Sequence, residues 1–496
     1  MRGRGPVLAL VALQLLVSLP LAWTLNLYVD EVYSLHTSAQ GPLAALSGGI
    51  HFERQAPLYF GLLSLWRWID PSVFFARLLS VLCIAASLLV LARIARRLFP
   101  NVAPAWFVAP FALHPAAIWA AVEIRVYALA ILLCAVLLWS WLAAFCSAER
   151  RRSADLAFVA AAVTSLYAFY YLGFVLPALA AALLATGRGR ELPRYALSCA
   201  LVGVLCAPIA FWIAGQTATG VELDGLSPLG VLRFLGYILA DELVPGHRLI
   251  AALDTQALRW TARGVLFALA AAIAVRWRIV GSLREPEVAF PWLVVAVAAA
   301  LFAAVGWLTG LILVGDVRYW GYLCLPASLA LVAAAVATRS ARFLAAAVAV
   351  LVAANAAELV VDYRPLAKPS DAARVAALLM REEDADEPVL VFPNEWALTL
   401  RYYYHGRNRI VPVPHEPSLE HYDWRDLGVR SEGELDAMMQ RLPPDRGTVW
   451  LVKDDEIYRG RDTLERYIDR HFVTEASWPF YRKLVVERLR RRDAPR

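Results

Sequence analysis

Charged side chains are scarce in this sequence. Asp, Glu, Lys and Arg make up 18% of the 496 residues, and 60% of the residues are hydrophobic. Soluble domains contain about 25% charged and about 45–50% apolar residues. The six cysteines lie in or beside apolar runs without metal-ligand spacing, which argues against a zinc site or a disulfide scaffold. The composition therefore predicts a polytopic protein of the lipid bilayer, with no cofactor and no indicated divalent metal.

Apolar runs long enough to cross a bilayer recur along residues 1–361. The first reaches about Leu25, and no small-residue cleavage site precedes Asp30, so we interpret it as a span rather than a signal peptide. Residues 57–69 are too short to span and predict an interfacial or re-entrant helix. The other candidate spans, for about 11 in total, are 77–98, 103–121, 126–146, 155–171, 172–186, 195–214, 261–277, 289–313, 319–337 and 342–360. The adjacent pair at 155–186 could instead form one re-entrant unit.

Arginine-rich connections alternate with acidic or mixed connections between these spans. Excess Lys and Arg marks the cytoplasmic side of a membrane, so the net charge of +6 indicates orientation rather than nucleic-acid binding. The pattern predicts a multi-pass inner-membrane protein with a cytoplasmic N-terminus and an external C-terminus. The basic connections are those with Arg93, Arg96 and Arg97, with Arg150, Arg151 and Arg152, with Arg188, Arg190 and Arg194, with Arg276, Arg278 and Arg284, and with Arg339 and Arg342.

The composition changes sharply after Asp362, where Arg, Asp, Glu and Pro become frequent and apolar spans end. We predict two domains, a transmembrane domain over 1–361 with external loops at 26–76 and 215–260, and a small extracytoplasmic α/β domain over 362–496. Within the second domain the predicted elements are a helix over Ser370–Met380, a strand over Val389–Phe392, a helix or strand over Ala397–Tyr404, and a strand over Thr448–Val452.

The segment from Tyr28 to Phe60 concentrates ionisable residues at the predicted external end of the first span. It opens on the carboxylates Asp30 and Glu31, which suggest a functional site at a membrane surface or simply the solvated end of a helix. A helix-like run over Ser38–Leu46 and a break at Gly48-Gly49 are predicted within it. The segment closes on a second cluster of ionisable and aromatic side chains, namely His51, Glu53, Arg54 and Tyr59.

Two further charged clusters lie in predicted external connections. Arg donates a planar fork of hydrogen bonds that suits phosphate, and a carboxylate suits proton abstraction from a hydroxyl. An enzyme with both, facing away from ATP and nucleotide sugars, needs an activated substrate carried on a lipid. The loop 215–260 is a candidate lid, and its Asp241-Glu242 pair is expected to be solvated. The two clusters are Glu123, Arg125 and Tyr127, and Asp316, Arg318 and Tyr319.

The order of these motifs resembles the polytopic C-type glycosyltransferases, in particular the superfamily of protein O-mannosyltransferases and lipid A aminoarabinose transferases with its bacterial family-39-like members. Phe52-Glu53-Arg54 followed by Pro57-Leu58 is similar to the Phe-Glu-Lys-Pro-Pro-Leu turn of that superfamily, with Arg for Lys and one extra residue. The likeness covers about residues 1–330. Its other parts are Asp30-Glu31 after a span, the turn Pro57-Leu58-Tyr59-Phe60, the motif Glu123-x-Arg125-x-Tyr127, and Arg318-Tyr319 before a span with Pro326.

This resemblance implies a C-type fold and inverting transfer of a sugar from a polyprenyl-phosphate donor to a hydroxyl of an envelope lipid, glycan or protein. Asp30 would be the general base, with Glu31 as the other candidate. The donor phosphate would be bound by Arg54, Arg125 and Arg318. The residues expected to bind substrate or to support the site are His51, Glu53, Tyr59, Glu123, Tyr127 and Tyr319.

Two other functions fit the same composition. A flippase or carrier of lipid-linked saccharides would need polar side chains along the span interiors, but the middles of these spans are nearly free of charge. A polymerase of lipid-linked saccharides would share the donor site of a transferase. Ion pairing at Glu123–Arg125 and interfacial anchoring at Arg318-Tyr319 are the structural alternatives to a role in catalysis.

Overall fold

The computed structural model describes most of the chain. The described residues are 4–217, 228–251, 255–256, 258–259, 261, 273, 279–282, 284–309, 317–368, 370–382, 384, 387–420, 427–440, 447–454, 461–481 and 484–492. The predicted span over 261–277 lies almost entirely outside them, and so does Asp316.

The chain forms two compact units. The first comprises Met1–Trp23, Gly41–Ile50 and Arg54–Asp362, and the second comprises Thr24–Gln40, His51–Glu53 and Tyr363–Arg496. One division falls after Asp362, at the change of composition. The two short segments between Thr24 and Glu53, which the hydropathy pattern assigned to a loop of the membrane domain, belong to the second unit.

Helices make up most of the first unit. Among the helices before Asp362, α2 (Val29–Ala39) belongs to the second unit. The other helices up to Asp362 are α1 (Arg4–Thr24), α3 (Pro42–His51), α4 (Leu58–Arg67), α5 (Val73–Leu98), α6 (Ala105–Ala112), α7 (Pro115–Ala121), α8 (Tyr127–Phe145), α9 (Arg152–Ala168), α10 (Val175–Ala185), α11 (Leu192–Leu205), α12 (Ala207–Thr217), α13 (Pro228–Leu243), α14 (His247–Ala251), α15 (Ile279–Ser282), α16 (Pro286–Thr309), α17 (Cys324–Ala337) and α18 (Ala341–Asp362).

Several of these helices have the length and hydropathy of membrane spans. Within the described residues, 5 helices qualify, and Tyr170–Ala185 and Gly321–Ala337 are shorter apolar segments. The chain is therefore a polytopic membrane protein, and the finer number of about 11 spans stays a prediction. The qualifying helices are α1, α5, α8, α16 up to Leu308, and α18.

The candidate span over 103–121 is built from two helices, α6 and α7, rather than from one helix. Pro115 is the first residue of α7, and a proline disfavours the helical conformation at the residue before it. His114 accordingly has an extended backbone, and its Nδ1 atom accepts a hydrogen bond from the Ala116 amide at 3.3 Å. The Pro110 carbonyl inside α6 accepts a hydrogen bond from Asn355 of α18 at 2.8 Å.

The second unit is built on a sheet of five strands, in the order β2-β1-β3-β5-β4. The pairs β1–β2 and β1–β3 are parallel, and β3–β5 and β4–β5 are antiparallel. The strands are β1 (Val389–Phe392), β2 (Ile410–Pro412), β3 (Thr448–Asp454), β4 (Phe472–Pro479) and β5 (Leu484–Arg491), and the helices after Asp362 are α19 (Ala372–Glu382), α20 (Trp396–Tyr403), α21 (Glu432–Met439) and α22 (Arg461–His471).

Both faces of this sheet are covered. Alternate residues of β1 point to opposite faces, so Val389 and Val391 pack in one apolar cluster while Leu390 and Phe392 pack in the other. The cluster with Val389 includes residues of α19 and α20, and the other includes residues of α21 and α22. The predicted strands over Val389–Phe392 and Thr448–Val452 are thus confirmed, and Ala397–Tyr404 proves to be mostly helix.

The predicted helix over Ser38–Leu46 with a break at Gly48-Gly49 is wrong. The break lies between α2 and α3 at Gly41, whose φ of +92° favours glycine, and Pro42 then begins α3. Gly48 and Gly49 lie inside α3. Gly49 allows close packing instead of a turn, because a Cβ atom there would lie 2.6 Å from Cδ2 of Phe60.

Candidate active site

The carboxylates Asp30 and Glu31 lie in the first turn of α2, not in a loop. Tyr28 has an extended backbone and precedes the helix, and its amide donates to Glu31 Oε2 at 3.0 Å. Negative charges are stabilised at a helix N-terminus because the first amides lack intrahelical partners. Asp30 is partly exposed, whereas Glu31 is fully buried. The two adjacent side chains therefore occupy different environments.

Glu31 forms a buried ion pair with Lys368. The Lys368 Nζ atom lies 2.8 Å from Glu31 Oε2, and the side chains of Lys368 and Glu31 are 5% and 0% exposed. The Lys368 amide also donates to Asn26 Oδ1 at 2.7 Å, across 342 positions of sequence. Buried charges are tolerated when they are paired and hydrogen-bonded, which this geometry provides for Glu31.

Glu53 lies beside α2. Thr37 Oγ1 donates to Glu53 Oε1 at 3.3 Å, and the Phe52 ring meets the Tyr33 ring edge-on at a centroid distance of 5.4 Å. His51 is exposed at the end of α3. The second unit thus brings together Glu53 and the helix of Asp30, while His51 faces solvent.

Arg54 begins the part of the chain that returns to the first unit. Its φ of +52° lies in the left-handed region, which costs a non-glycine residue about 1–3 kcal/mol and which clusters at functional sites. Tyr59, in α4, is buried against Phe60 with a ring-centroid distance of 5.4 Å. The ring of Tyr59 therefore packs against Phe60.

The turn between α7 and α8 buries Glu123 and Arg125, which are 4% and 5% exposed. Ser80 of α5 donates to the Glu123 carbonyl at 2.7 Å, which attaches this turn to the neighbouring helix. Arg77, about one helical turn earlier in α5, is 1% exposed and donates to the Ala22 carbonyl at 2.9 Å. The first unit therefore buries a second arginine near this turn, at a position that the hydropathy pattern marked only as the start of a span.

Aromatic rings connect the turn of Arg125 to the turn of Arg318. Tyr127 meets Phe169 at 6.3 Å between ring centroids, Phe169 meets Tyr171 at 5.2 Å, and Tyr171 meets Tyr319 at 5.3 Å. Each ring carries a large apolar surface and a polarised edge, so such a row suits a sugar or a prenyl chain. The first unit thereby brings together the two motifs with Tyr127 and Tyr319, which the chain separates widely.

Sequence patterns missed the partners that lie far away in the chain. Lys368 stands alone in a polar linker with no local signal of burial. The run Phe169-Tyr170-Tyr171 offered a weak signal, because aromatic residues at the end of an apolar run are typical of a membrane interface. Within the part of the chain that the structure describes, no group of three or more His, Cys, Asp or Glu side chains is arranged to hold a metal ion.

The expectation that the Asp241-Glu242 pair is solvated is wrong for Glu242, which is 3% exposed. The pair lies near the C-terminal end of α13, beside a cavity of about 20 Å³ within the first unit. Glu358 and Asn355 of α18 and His114 also line this cavity, which has room for about one water molecule. The pair is therefore part of the helix packing rather than a loop feature.

Comparison with known proteins gives matches among solved structures. No family model matches the chain, and no curated protein matches it. Two crystal structures of ArnT from Cupriavidus metallidurans are similar to it over 98% of both chains. The apo structure gives 15% identity and a TM-score of 0.45, and the structure bound to undecaprenyl phosphate gives 16% identity and a TM-score of 0.43.

Proposed function

We propose that this protein is an inverting membrane glycosyltransferase that transfers a sugar from a polyprenyl phosphate to a hydroxyl of an envelope lipid, glycan or protein. The observation that carries the proposal is the environment of Asp30. It is a partly exposed carboxylate on a helix whose first turn is held by the buried pair of Glu31 and Lys368, in a chain with several apolar spans. A partly exposed carboxylate on a rigid element suits a general base.

In the proposed reaction Asp30 accepts the proton of the acceptor hydroxyl. The acceptor oxygen then attacks the anomeric carbon of the sugar from the face opposite the phosphate. The bond between that carbon and the phosphate oxygen breaks, and its electron pair leaves with the polyprenyl phosphate. This single displacement inverts the anomeric configuration.

The donor phosphate gains negative charge as it leaves, so fixed cations favour its departure. Arg125 and Arg318 carry this role in the proposal, because the aromatic row from Tyr127 to Tyr319 joins their two turns. Arg54 is the third proposed phosphate ligand, and Glu123 orients Arg125. The same aromatic row is the proposed wall of the sugar or prenyl pocket.

The reaction is proposed to occur on the external face of the inner membrane. The basic connections predict a cytoplasmic N-terminus and an external position for the residues after Asp362. Topology reporters fused after Arg97, Arg152 and Arg194 are expected to report a cytoplasmic location. A reporter fused after Asp362 is expected to report an external location. A cytoplasmic reading at Asp362 would contradict both the orientation and the external site.

Mass spectrometry of envelope glycans and of lipid A-like lipids, with and without the gene, tests the proposed function directly. We expect one sugar substituent to disappear from one envelope component when the gene is deleted, and to return with the intact gene but not with the Asp30→Asn variant. Loss of whole glycan chains would favour a polymerase. Loss of the product together with accumulation of the lipid-linked saccharide on the cytoplasmic face would favour a flippase.

A further inference from the structure

The helix that carries Asp30 is built into the α/β unit by contacts with residues far along the chain. The Leu27 amide donates to the Tyr403 hydroxyl at 2.8 Å, across 376 positions. The Tyr33 hydroxyl donates to Glu395 Oε2 at 3.2 Å, across 362 positions. Val29 and Tyr33 also share an apolar cluster with Leu398 of α20. Residues of the α/β unit therefore contact both the segment that leads into α2 and the first two turns of the helix.

The linker after Asp362 closes around the residues that precede α2. The Lys368 amide donates to Asn26 Oδ1 at 2.7 Å, and Asn26 Nδ2 donates to the Leu27 carbonyl at 2.9 Å. The Ser370 hydroxyl reaches the same carbonyl at 3.5 Å. Lys368 thus contacts the start of α2 twice. Its amide binds Asn26, which precedes the helix, and its ammonium binds Glu31 in the first turn.

Glu31 receives two different interactions on the same oxygen. Its Oε2 atom accepts from the Tyr28 amide at 3.0 Å and lies 2.8 Å from Lys368 Nζ. Removing one member of a buried ion pair leaves the other charge without compensation, which a buried site tolerates poorly. Without the ammonium, the buried Glu31 carboxylate would lose this counter-charge, and the first turn of α2 would lose this anchor.

We propose that Lys368 is a positioning residue for Asp30, the neighbour of Glu31 in that turn. The ion pair with Glu31 holds the backbone of the turn, and the backbone sets where the Asp30 carboxylate points. Lys368 touches neither donor nor acceptor in this proposal. The inference rests on the proposed role of Asp30 as the base.

The test is Lys368→Met in the full-length protein in nanodiscs, assayed with the polyprenyl-phosphate sugar that envelope mass spectrometry identifies. A displacement of about 1 Å at a reacting group can cost about 100-fold in rate, so we expect kcat to fall by about 10- to 100-fold. The KM for the donor and the binding of undecaprenyl phosphate should stay within about 2-fold of the wild type. Hydrogen exchange of the amides at the start of α2 should accelerate while that of β1 and β3 is unchanged.

A matched control is Lys453→Met. Lys453 pairs with Glu487 at 3.1 Å, in the same unit, with side chains 17% and 13% exposed, but it lies in β3. This variant loses the same type of ion pair and is expected to keep the wild-type kcat. Lys368→Arg retains the charge and should recover part of the lost rate. In a Glu31→Gln background Lys368→Met should have little further effect on kcat, because its action passes through Glu31.

An unchanged kcat in Lys368→Met, with Asp30→Asn inactive, would overturn this inference and leave the proposed function standing. An active Asp30→Asn variant would overturn the proposed base and the positioning role together. Equal losses in Lys368→Met and Lys453→Met, proportional to the loss of folded protein, would show that the pair contributes only stability.

Discussion

Replacing Asp30 by Asn is expected to reduce the rate of sugar transfer by about 100- to 10,000-fold, the range that a positioned general base contributes. Asn keeps the size of Asp and can still hydrogen-bond, but its amide does not accept the acceptor's proton. The side chain is partly exposed and lies at the start of α2, so the change should leave the fold intact. Turnover, undecaprenyl phosphate binding and thermal stability of the purified variant measure the three effects separately.

Glu31→Gln is the comparison for Asp30→Asn. Glu31 is fully buried and paired with Lys368, so its loss should lower thermal stability more than Asp30→Asn does. Turnover per folded molecule should be reduced less, because Gln still offers an oxygen to the Tyr28 amide. Near-wild-type transfer by both variants would remove the catalytic base from this segment. A larger loss per folded molecule in Glu31→Gln would assign the base to Glu31 instead.

Replacing Arg125 by Lys is expected to weaken the binding of the proposed polyprenyl-phosphate donor, measured with undecaprenyl phosphate as the probe, by about 10- to 150-fold. This range corresponds to the 1.5–3 kcal/mol, roughly, of a hydrogen bond to a charged group. Lys keeps the positive charge but offers a point charge in place of a planar fork, so a bidentate contact with phosphate is lost. Arg125 is 5% exposed, and burial leaves a shorter, differently shaped cation little freedom to compensate.

Arg54→Lys and Arg318→Lys are expected to act in the same direction and more weakly, because both side chains are less buried than Arg125. Arg97→Lys is the control: Arg97 donates to the Leu142 carbonyl and to Ser147 Oγ at the opposite, basic end of α5. Equilibrium binding of labelled undecaprenyl phosphate to each variant in nanodiscs decides the matter. Wild-type affinity in all three variants would leave the arginines without a role in donor binding.

The amino-acid sequence by itself determined the properties that depend on local pattern. Long apolar runs marked α1, α5, α8, α16 and α18, because a helix that crosses hydrocarbon must be apolar along its whole length. The change of composition at Asp362 marked the start of the longest part of the α/β unit. The strands over Val389–Phe392 and Thr448–Val452 were predicted because short runs of branched apolar residues favour strands.

Turns within one segment were less readable. The glycine pair at 48–49 suggested a break, but Gly49 serves the close approach of Phe60, and the break occurs at Gly41. Glycine permits both a left-handed turn and close packing, and the sequence does not distinguish them without the neighbouring element. The tertiary contact of α3 with the start of α4 made that choice.

Only the tertiary structure decided the difference between Asp30 and Glu31. The two residues are adjacent in sequence and alike in chemistry, but only Glu31 is paired with Lys368. The Lys368 amide also bonds to Asn26, 342 positions away in the chain. The same holds for the aromatic row that joins Tyr127 to Tyr319. A buried ion pair or a ring contact is a property of two distant residues at once, because an ion pair forms only where the attraction between its partners offsets the loss of their contacts with water. Neither residue carries a local pattern that reports its partner.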